Sequence, residues 1–259
     1  MTEEPTGDNV ETNVEAQEQP TTDKVELSSS NRLPTGISIL DRTLNGGIPK
    51  GSLVYFSAEP VTQPEIFLFE FTTPRKTFYF TTDKSEDNLK RHMSELNFSY
   101  DQTEFFDIRQ EYYDDIYVTS TEHGESERRL YELIDSKLDY IYSTGESNYT
   151  IVFDHFSFLV DMNIDVHALK NMLHKIYEMN KERESTCILF VLKGVHDRRI
   201  ETIFQNVCDV IFDVDVEKKG DKMSSKLSIP KIRGMSPVME YIRFKVSDRV
   251  YIDTSRDIA

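Results

Sequence analysis

Cysteine is scarce in the sequence, and the two cysteines present exclude the common thiol sites. Cys187 and Cys208 each lie in an apolar run, without a second Cys or a His at the spacing of zinc ligands. The sequence therefore predicts two buried, unpaired thiols and no metal site. Unpaired thiols of this kind are typical of intracellular proteins, and we expect a cytoplasmic location.

Long apolar runs and basic residues are also lacking. No run approaches the roughly 20 apolar residues of a membrane-spanning helix, and the first residues are acidic and polar, unlike a secretory signal. The 30 Lys and Arg residues are outnumbered by 46 Asp and Glu residues, which gives a net charge of −16. Because a nucleic-acid surface requires clustered Lys and Arg, this balance argues against direct DNA binding.

The first 31 residues differ in composition from the rest of the chain. They are rich in Thr, Glu, Asp, Asn and Gln and have almost no apolar side chains. Such a segment cannot bury enough apolar surface to offset the entropy of ordering. Residues 1–31 are therefore predicted to be a disordered acidic tail, and residues 32–259 to form one domain.

Patterns of buried strands alternate with helical patterns in this second part. Strands are predicted at residues 53–57, 76–82, 149–154, 187–192 and 207–216. Apolar residues at helical spacing predict the intervening helices, most clearly at residues 125–144 and 166–184. Such alternation predicts an α/β fold with a mostly parallel sheet flanked by helices.

Less regular patterns occupy the middle and the end of the chain. Residues 97–114 are aromatic and predicted to be irregular, and residues 116–119 are compatible with a short strand. Residues 226–232 and 241–246 alternate apolar and polar side chains, which is typical of half-exposed antiparallel strands. They predict a C-terminal antiparallel hairpin that extends one edge of the sheet.

The most specific pattern is LPTGISILDRTLNGGIPKGSLVYFS, at residues 33–57. It resembles the opening of the KaiC/RadA group of the RecA superfamily, in which T-G-x-x-x-L-D…G-G-G-I-P-x-G-S precedes the phosphate-loop strand. FDHFSFL at residues 153–159 and KIRG at residues 231–234, which is similar to the family's K-x-R-G, support the resemblance. It covers about residues 33–252, without motifs at residues 97–148, and implies a RecA-like fold of the P-loop NTPase type.

The loop after the first strand departs from this family. In the family, G-x-x-G-x-G-K-T binds the ATP phosphates through backbone N–H groups and a Lys, and its hydroxyl holds magnesium. Laid on this chain without gaps, the five fixed positions fall on Ala58, Val61, Gln63, Pro64 and Glu65. Pro64 has no N–H donor, and Glu65 places a carboxylate where a phosphate would lie. The resemblance thus implies a degenerate Walker A loop, in which Val61 and Gln63 are expected to resist φ > 0.

Two acids match the family's active-site positions in part. Its catalytic Glu-Glu pair after the second strand falls on Asp83 and Lys84. Asp83 could still act as a base, or it could be an exposed acid in a turn. Asp154 matches the Walker B acid, which helps to hold magnesium in P-loop ATPases. Without the phosphate loop, we expect Asp154 to line a crevice at the carboxyl ends of the strands rather than to bind a metal.

Lys231 and Arg233 are further candidates for cofactor binding. The resemblance implies that such a K-x-R pair reaches the nucleotide of a neighbouring subunit, and residues two apart on a strand share a face. The alternative is a pair of ordinary surface bases on an edge strand. If the resemblance holds, this chain could complete the site of a protein partner in trans, for example an intact RecA- or KaiC-like homologue in a homo- or hetero-oligomer.

Two functions remain open. The first is a non-catalytic regulatory or scaffold subunit, a pseudo-ATPase that needs no cofactor. The alternative is a nucleotide-binding ATPase of the RadA/KaiC type, in recombination, repair or signalling, which would use ATP and Mg²⁺. The fold by itself does not separate these functions.

Overall fold

A computed structural model describes residues 1–2, 31–219 and 222–252 of the chain. The predicted acidic tail lies outside the described residues, apart from its two ends. None of the helices in the described part is both long enough and apolar enough to cross a membrane.

A nine-stranded sheet forms the centre of the fold, in the order β11-β10-β9-β8-β3-β7-β6-β4-β5. The strands from β8 to β5 in this order are parallel, whereas β9, β10 and β11 pair antiparallel at one edge. The predicted parallel sheet and C-terminal hairpin are thereby confirmed. The strands are β3 (Ser52–Ala58), β4 (Thr77–Thr81), β5 (Thr103–Asp107), β6 (Thr150–Phe153), β7 (Thr186–Leu192), β8 (Val210–Lys219), β9 (Lys222–Ile232), β10 (Val238–Val246) and β11 (Val250–Ile252). A separate short pair precedes them, β1 (Arg32–Leu33) with β2 (Ile48–Pro49).

Helices cover both faces of the sheet, because the central strands are apolar on both sides. In β3, Leu53 and Tyr55 belong to one core, and Val54 and Phe56 belong to the other. The first core is covered by α6 (Glu125–Ser143), α7 (Ser157–Asp161), α8 (Val166–Glu182) and α9 (Arg198–Val207). The second is covered by α1 (Ser38–Thr43), α2 (Pro64–Thr72) and α3 (Glu86–Glu95).

The middle of the chain differs from the sequence prediction in two places. Residues 103–107, predicted to be irregular, form the edge strand β5, which pairs parallel with β4. Its side chains are mostly half-buried, so the sequence lacks the apolar run of a central strand. The possible strand at residues 116–119 is wrong, since α4 (Ile108–Glu111), a π-helical segment (Tyr112–Ile116) and α5 (Tyr117–Thr119) form one helical run. Ile108, Tyr112 and Ile116, at intervals of four residues, are its buried face.

The motif at residues 33–57 holds α1 and α2 together. The Asp41 carboxylate accepts hydrogen bonds from the Thr35 backbone N–H at 2.6 Å and from the Thr35 hydroxyl at 2.8 Å. At Gly36, with φ of +89°, a Cβ would lie 2.3 Å from the Glu70 carbonyl oxygen on α2. Gly47 has a φ of +119° and packs equally closely on β1. These residues are therefore explained by backbone packing, without any contact to a ligand.

Candidate functional site

A cavity of about 380 Å³ lies at the carboxyl ends of β3, β4, β6 and β7. This is the edge at which open α/β sheets bind ligands. The cavity brings together four residues that the sequence singled out, Pro64, Glu65, Asp83 and Asp154, from three separate stretches of the chain. Its other polar lining residues are Tyr79, Lys84 and His155, and its apolar lining residues are Pro60, Leu68, Leu89, Phe190 and Leu192.

The loop between β3 and α2 is a compact turn. Ala58 ends β3 in the core, and residues 60–62 form a single 3₁₀ turn that leaves Val61 64% exposed. Gln63 has a φ of +53° and a ψ of +57°, so the expectation that it resists φ > 0 is wrong. The left-handed conformation there reverses the chain before Pro64, whose fixed φ suits the first turn of α2.

Glu65 stands in the first turn of α2 and lines the cavity together with Pro64. A carboxylate at this position is favoured by the helix dipole. Pro64 contributes no N–H group, so the helix terminus offers one donor fewer to an anion. The loop therefore presents negative charge to the cavity at the place where a phosphate loop presents donors.

Asp154 follows β6, and its carboxylate is held by Thr82 and Thr81 at the end of β4. Its carboxylate accepts hydrogen bonds from both the backbone N–H and the hydroxyl of Thr82, each at 2.9 Å. Burial raises the pKa of Asp154 to about 7, although the hydrogen bonds from Thr82 oppose this shift, and the nearby Asp83 carboxylate raises the pKa further. Asp83 itself is exposed at the cavity mouth. The carboxyl group of Asp154 consequently changes its charge near neutral pH.

Tyr79 is a lining residue that the sequence did not single out. It is fully buried in the middle of β4, and its hydroxyl has no hydrogen-bond partner among the described residues. Its pKa is raised well above the ordinary value, first by burial and then by the carboxylates of Asp154, Glu65 and Asp83. The only signal in the sequence is a phenol within the apolar run KTFYFTT at residues 76–82.

His155 adds little positive charge to the cavity. Burial lowers the pKa of His155, whose ring packs against Phe190, and a lower pKa favours the neutral imidazole. Lys84 is exposed at the mouth. Within the described part of the chain, no group of three or more His, Cys, Asp or Glu residues is arranged to hold a metal ion.

Neither Lys231 nor Arg233 lines this cavity, and Arg233 lies at the opposite end of the sheet. The Arg233 backbone N–H donates to the Asp209 carbonyl, and the Asp209 N–H donates to the carbonyl of Leu53, at the start of β3. The cavity is at the other end of β3, whose seven residues span roughly 20 Å. The structure therefore does not bring the K-x-R pair to the cavity of its own chain.

Each of these two bases has its own partners within the chain. The Lys231 ammonium donates to the carbonyls of Gln205 at 2.8 Å and Asn206 at 3.2 Å, at the C-terminal end of α9. A cation at this position suits the helix dipole. The Arg233 guanidinium lies 2.8 Å from the carboxylate of Asp209, a side chain that is 1% exposed.

Comparison with known proteins agrees with this architecture. The crystal structure of a KaiC-like protein from the hyperthermophilic archaeon Pyrococcus horikoshii OT3 matches with a TM-score of 0.64 and 18% sequence identity, over 85% of this chain and 98% of that chain. The fold is thus the RecA-like fold of KaiC-like proteins, as predicted. No curated protein matches the sequence. A profile of a family of unknown function, DUF7125, matches residues 32–259, and the chain belongs to that family.

Proposed function

We propose that this protein is a non-catalytic KaiC-like subunit that does not bind the phosphates of ATP and acts through a protein partner. The observation that carries the proposal is the first turn of α2, where Pro64 and Glu65 occupy the positions of the family's Lys and Thr and both line the cavity. The loop is therefore a degenerate Walker A. The unpaired, buried thiols of Cys187 and Cys208 favour a reducing, cytoplasmic setting.

Charge is the main physical reason for this assignment. Three carboxylates, those of Glu65, Asp83 and Asp154, line a cavity in which the exposed Lys84 is the only lysine or arginine among the described residues. One carboxylate about 4 Å from a phosphate oxygen opposes binding by roughly 4 kcal/mol at an effective dielectric constant near 20. A triphosphate would meet this repulsion without the compensating lysine and without the wrapping N–H groups of a glycine-rich loop.

Thermal unfolding with and without 5 mM Mg-ATP tests the proposal. We expect the same melting temperature in both conditions, because ATP does not bind the folded chain. A ligand present at 100 times its dissociation constant would add about 2.7 kcal/mol of stability, a shift of roughly 5–10 °C for a domain of this size. Such a shift, if Asp154→Ala abolished it, would instead support the alternative of a nucleotide-binding ATPase.

The partner in this proposal is an intact RecA- or KaiC-like ATPase whose site this chain completes in trans. Lys231 and Arg233 remain the candidates for that contact, since Arg233 is 54% exposed although it pairs with Asp209. Arg233 also lies at the end of β3 opposite to the acidic cavity, so an anion beside it would not meet the carboxylates of that cavity.

Mixing this chain with such an ATPase tests the trans contact. We expect the wild-type chain to change the partner's ATP hydrolysis rate severalfold, and Lys231→Met to lose that effect while leaving the complex intact. Lys170→Met, at an exposed position on α8, is the matched control and should behave like wild type. Absence of a complex, or equal rates with all three proteins, would exclude this mode of action.

A further inference from the structure

The cavity at the carboxyl ends of β3, β4, β6 and β7 has unused hydrogen-bond acceptors. The carboxylates of Glu65 and Asp83 form no hydrogen bond and no ion pair with any described residue, and that of Asp154 is held by Thr82 and Thr81. Carboxylates that line a partly enclosed space without partners favour a cationic occupant, because the occupant supplies the missing charge and donors.

The buried hydroxyl of Tyr79 independently indicates a ligand. Tyr79 is 0% exposed and lines the cavity, yet its hydroxyl has no partner among the described residues. Buried polar groups are nearly always hydrogen-bonded, and a group left without a partner requires an explanation such as an absent ligand. The hydroxyl is close enough to Glu65, Asp83 and Asp154 for their charges to raise its pKa. It therefore shares one site with the three carboxylates.

The remaining walls decide between an inorganic and an organic cation. Leu68, Leu89, Phe190 and Leu192 give the cavity an apolar side that a hydrated metal ion would not use. The acids are also not grouped as metal ligands within the part of the chain that is described. A ligand with both an apolar stem and a cationic head matches all of these features, and about 380 Å³ is enough for a chain of several carbon atoms.

We infer that the cavity binds a primary alkylammonium group, with its ammonium held by Glu65, Asp154 and the hydroxyl of Tyr79, and its alkyl stem against the leucine and phenylalanine side chains. The ammonium has three donors, one for each of these acceptors. The same chemistry is offered by a free aliphatic amine and by a lysine side chain of a partner protein. This inference rests on the proposed function in one respect, that the cavity does not take phosphate.

Calorimetric titration with n-butylamine at pH 7.5, compared with n-butanol at equal ionic strength, tests the inference. We expect saturable binding of the amine and none of the alcohol. Glu65→Gln should weaken binding about tenfold, and Tyr79→Phe about fivefold, the latter without loss of thermal stability because it removes an unpaired hydroxyl. Glu59→Gln, exposed in the same loop but outside the cavity, should bind like wild type.

The inference would be overturned by no saturable binding of the amine, by equal binding of the alcohol, or by unchanged affinity in Glu65→Gln. Displacement of the bound amine by Mg²⁺ alone at stoichiometric concentrations would also overturn it, because it would indicate a metal site. Failure here leaves the proposed function intact, whereas Mg-ATP binding that Asp154→Ala abolishes would contradict the proposed function whatever the result with the amine.

Titration with two further ligands distinguishes a lysine side chain of a partner protein from a free amine as the source of the ammonium group. Nα-acetyl-lysine amide presents the ammonium as a protein side chain does, and its Nε-acetyl derivative lacks the charge. If Nα-acetyl-lysine amide binds as tightly as butylamine and its Nε-acetyl derivative does not bind, the ligand is a lysine side chain of a partner protein. If butylamine and 1,4-diaminobutane bind but Nα-acetyl-lysine amide does not, the ligand is a free amine.

Discussion

Asp154→Asn is expected to stabilise the protein at alkaline pH and to remove a pH dependence. In the wild-type chain, burial raises the pKa of Asp154 from 3.8 to about 7. The native state thus holds a proton that the unfolded state releases, so stability is lost as pH rises from about 4 to about 7. A pKa difference of one between the folded and unfolded states corresponds to about 1.4 kcal/mol. The free energy of unfolding of the variant, relative to that of wild type, should therefore increase by roughly 2–3 kcal/mol as the pH rises from 5 to 8.

Urea unfolding of both proteins at pH 5, 6, 7 and 8 measures this difference. Asparagine keeps an oxygen that can accept both hydrogen bonds from Thr82, so the comparison isolates the charge. Asp114→Asn changes an exposed acid far from the cavity and should stay within about 0.5 kcal/mol of wild type at every pH. A difference between Asp154→Asn and wild type that is the same at pH 5 and pH 8 would contradict the assignment.

Arg233→Ala is expected to destabilise the protein by about 3 kcal/mol. The reason is the carboxylate of Asp209, which is 1% exposed and lies 2.8 Å from the guanidinium. Loss of the guanidinium leaves a buried charge whose remaining contacts are the Leu53 backbone N–H at 3.2 Å and the Lys181 ammonium at 4.0 Å. Removing the partner of a buried carboxylate costs more than removing one member of an exposed pair, because the carboxylate is left buried without compensation.

A double-mutant cycle in urea separates this effect from a general loss of packing. Asp209→Asn keeps a side-chain oxygen for the Leu53 N–H and should recover most of the loss when combined with Arg233→Ala. The exposed pair Arg128 and Glu132, 60% and 56% exposed, provides the control. Arg128→Ala should cost less than about 1 kcal/mol. An equally small cost for Arg233→Ala would show that the guanidinium does not compensate Asp209.

The sheet could be predicted because its central strands are apolar on both faces. Residues 53–57 and 187–192 have no other stable placement than a doubly covered parallel sheet, and their helices follow from spacing alone. The edge strand β5 could not be predicted, because the side chains of residues 103–107 are mostly half-buried and show no clear alternation of apolar and polar residues. The helical run at residues 108–119 was missed for a related reason, since its buried face is marked only by three residues at intervals of four, Ile108, Tyr112 and Ile116.

The cavity was predictable in part. Carboxyl ends of parallel strands meet at one edge, which places Asp154 and Asp83 near the loop that holds Pro64 and Glu65. The conformation of Gln63 was not predictable, because a left-handed residue is tolerated where the surrounding chain reverses direction. The hydrogen-bond partners of Lys231 and Arg233 were not predictable either, since partners such as Tyr177, whose hydroxyl accepts from the Arg233 side chain, are distant in the sequence.

We propose that the loop between β3 and α2 does not bind phosphate in this cavity. Isothermal titration of Mg-ATP up to several millimolar into the wild-type chain measures this directly, with a KaiC-like ATPase that retains its phosphate loop as the positive control. We expect a saturable heat of Mg-ATP binding for the control and none for this chain. Saturable binding of Mg-ATP with a dissociation constant below about 1 mM, equivalent to about −4 kcal/mol, would contradict it if Asp154→Ala abolished the binding.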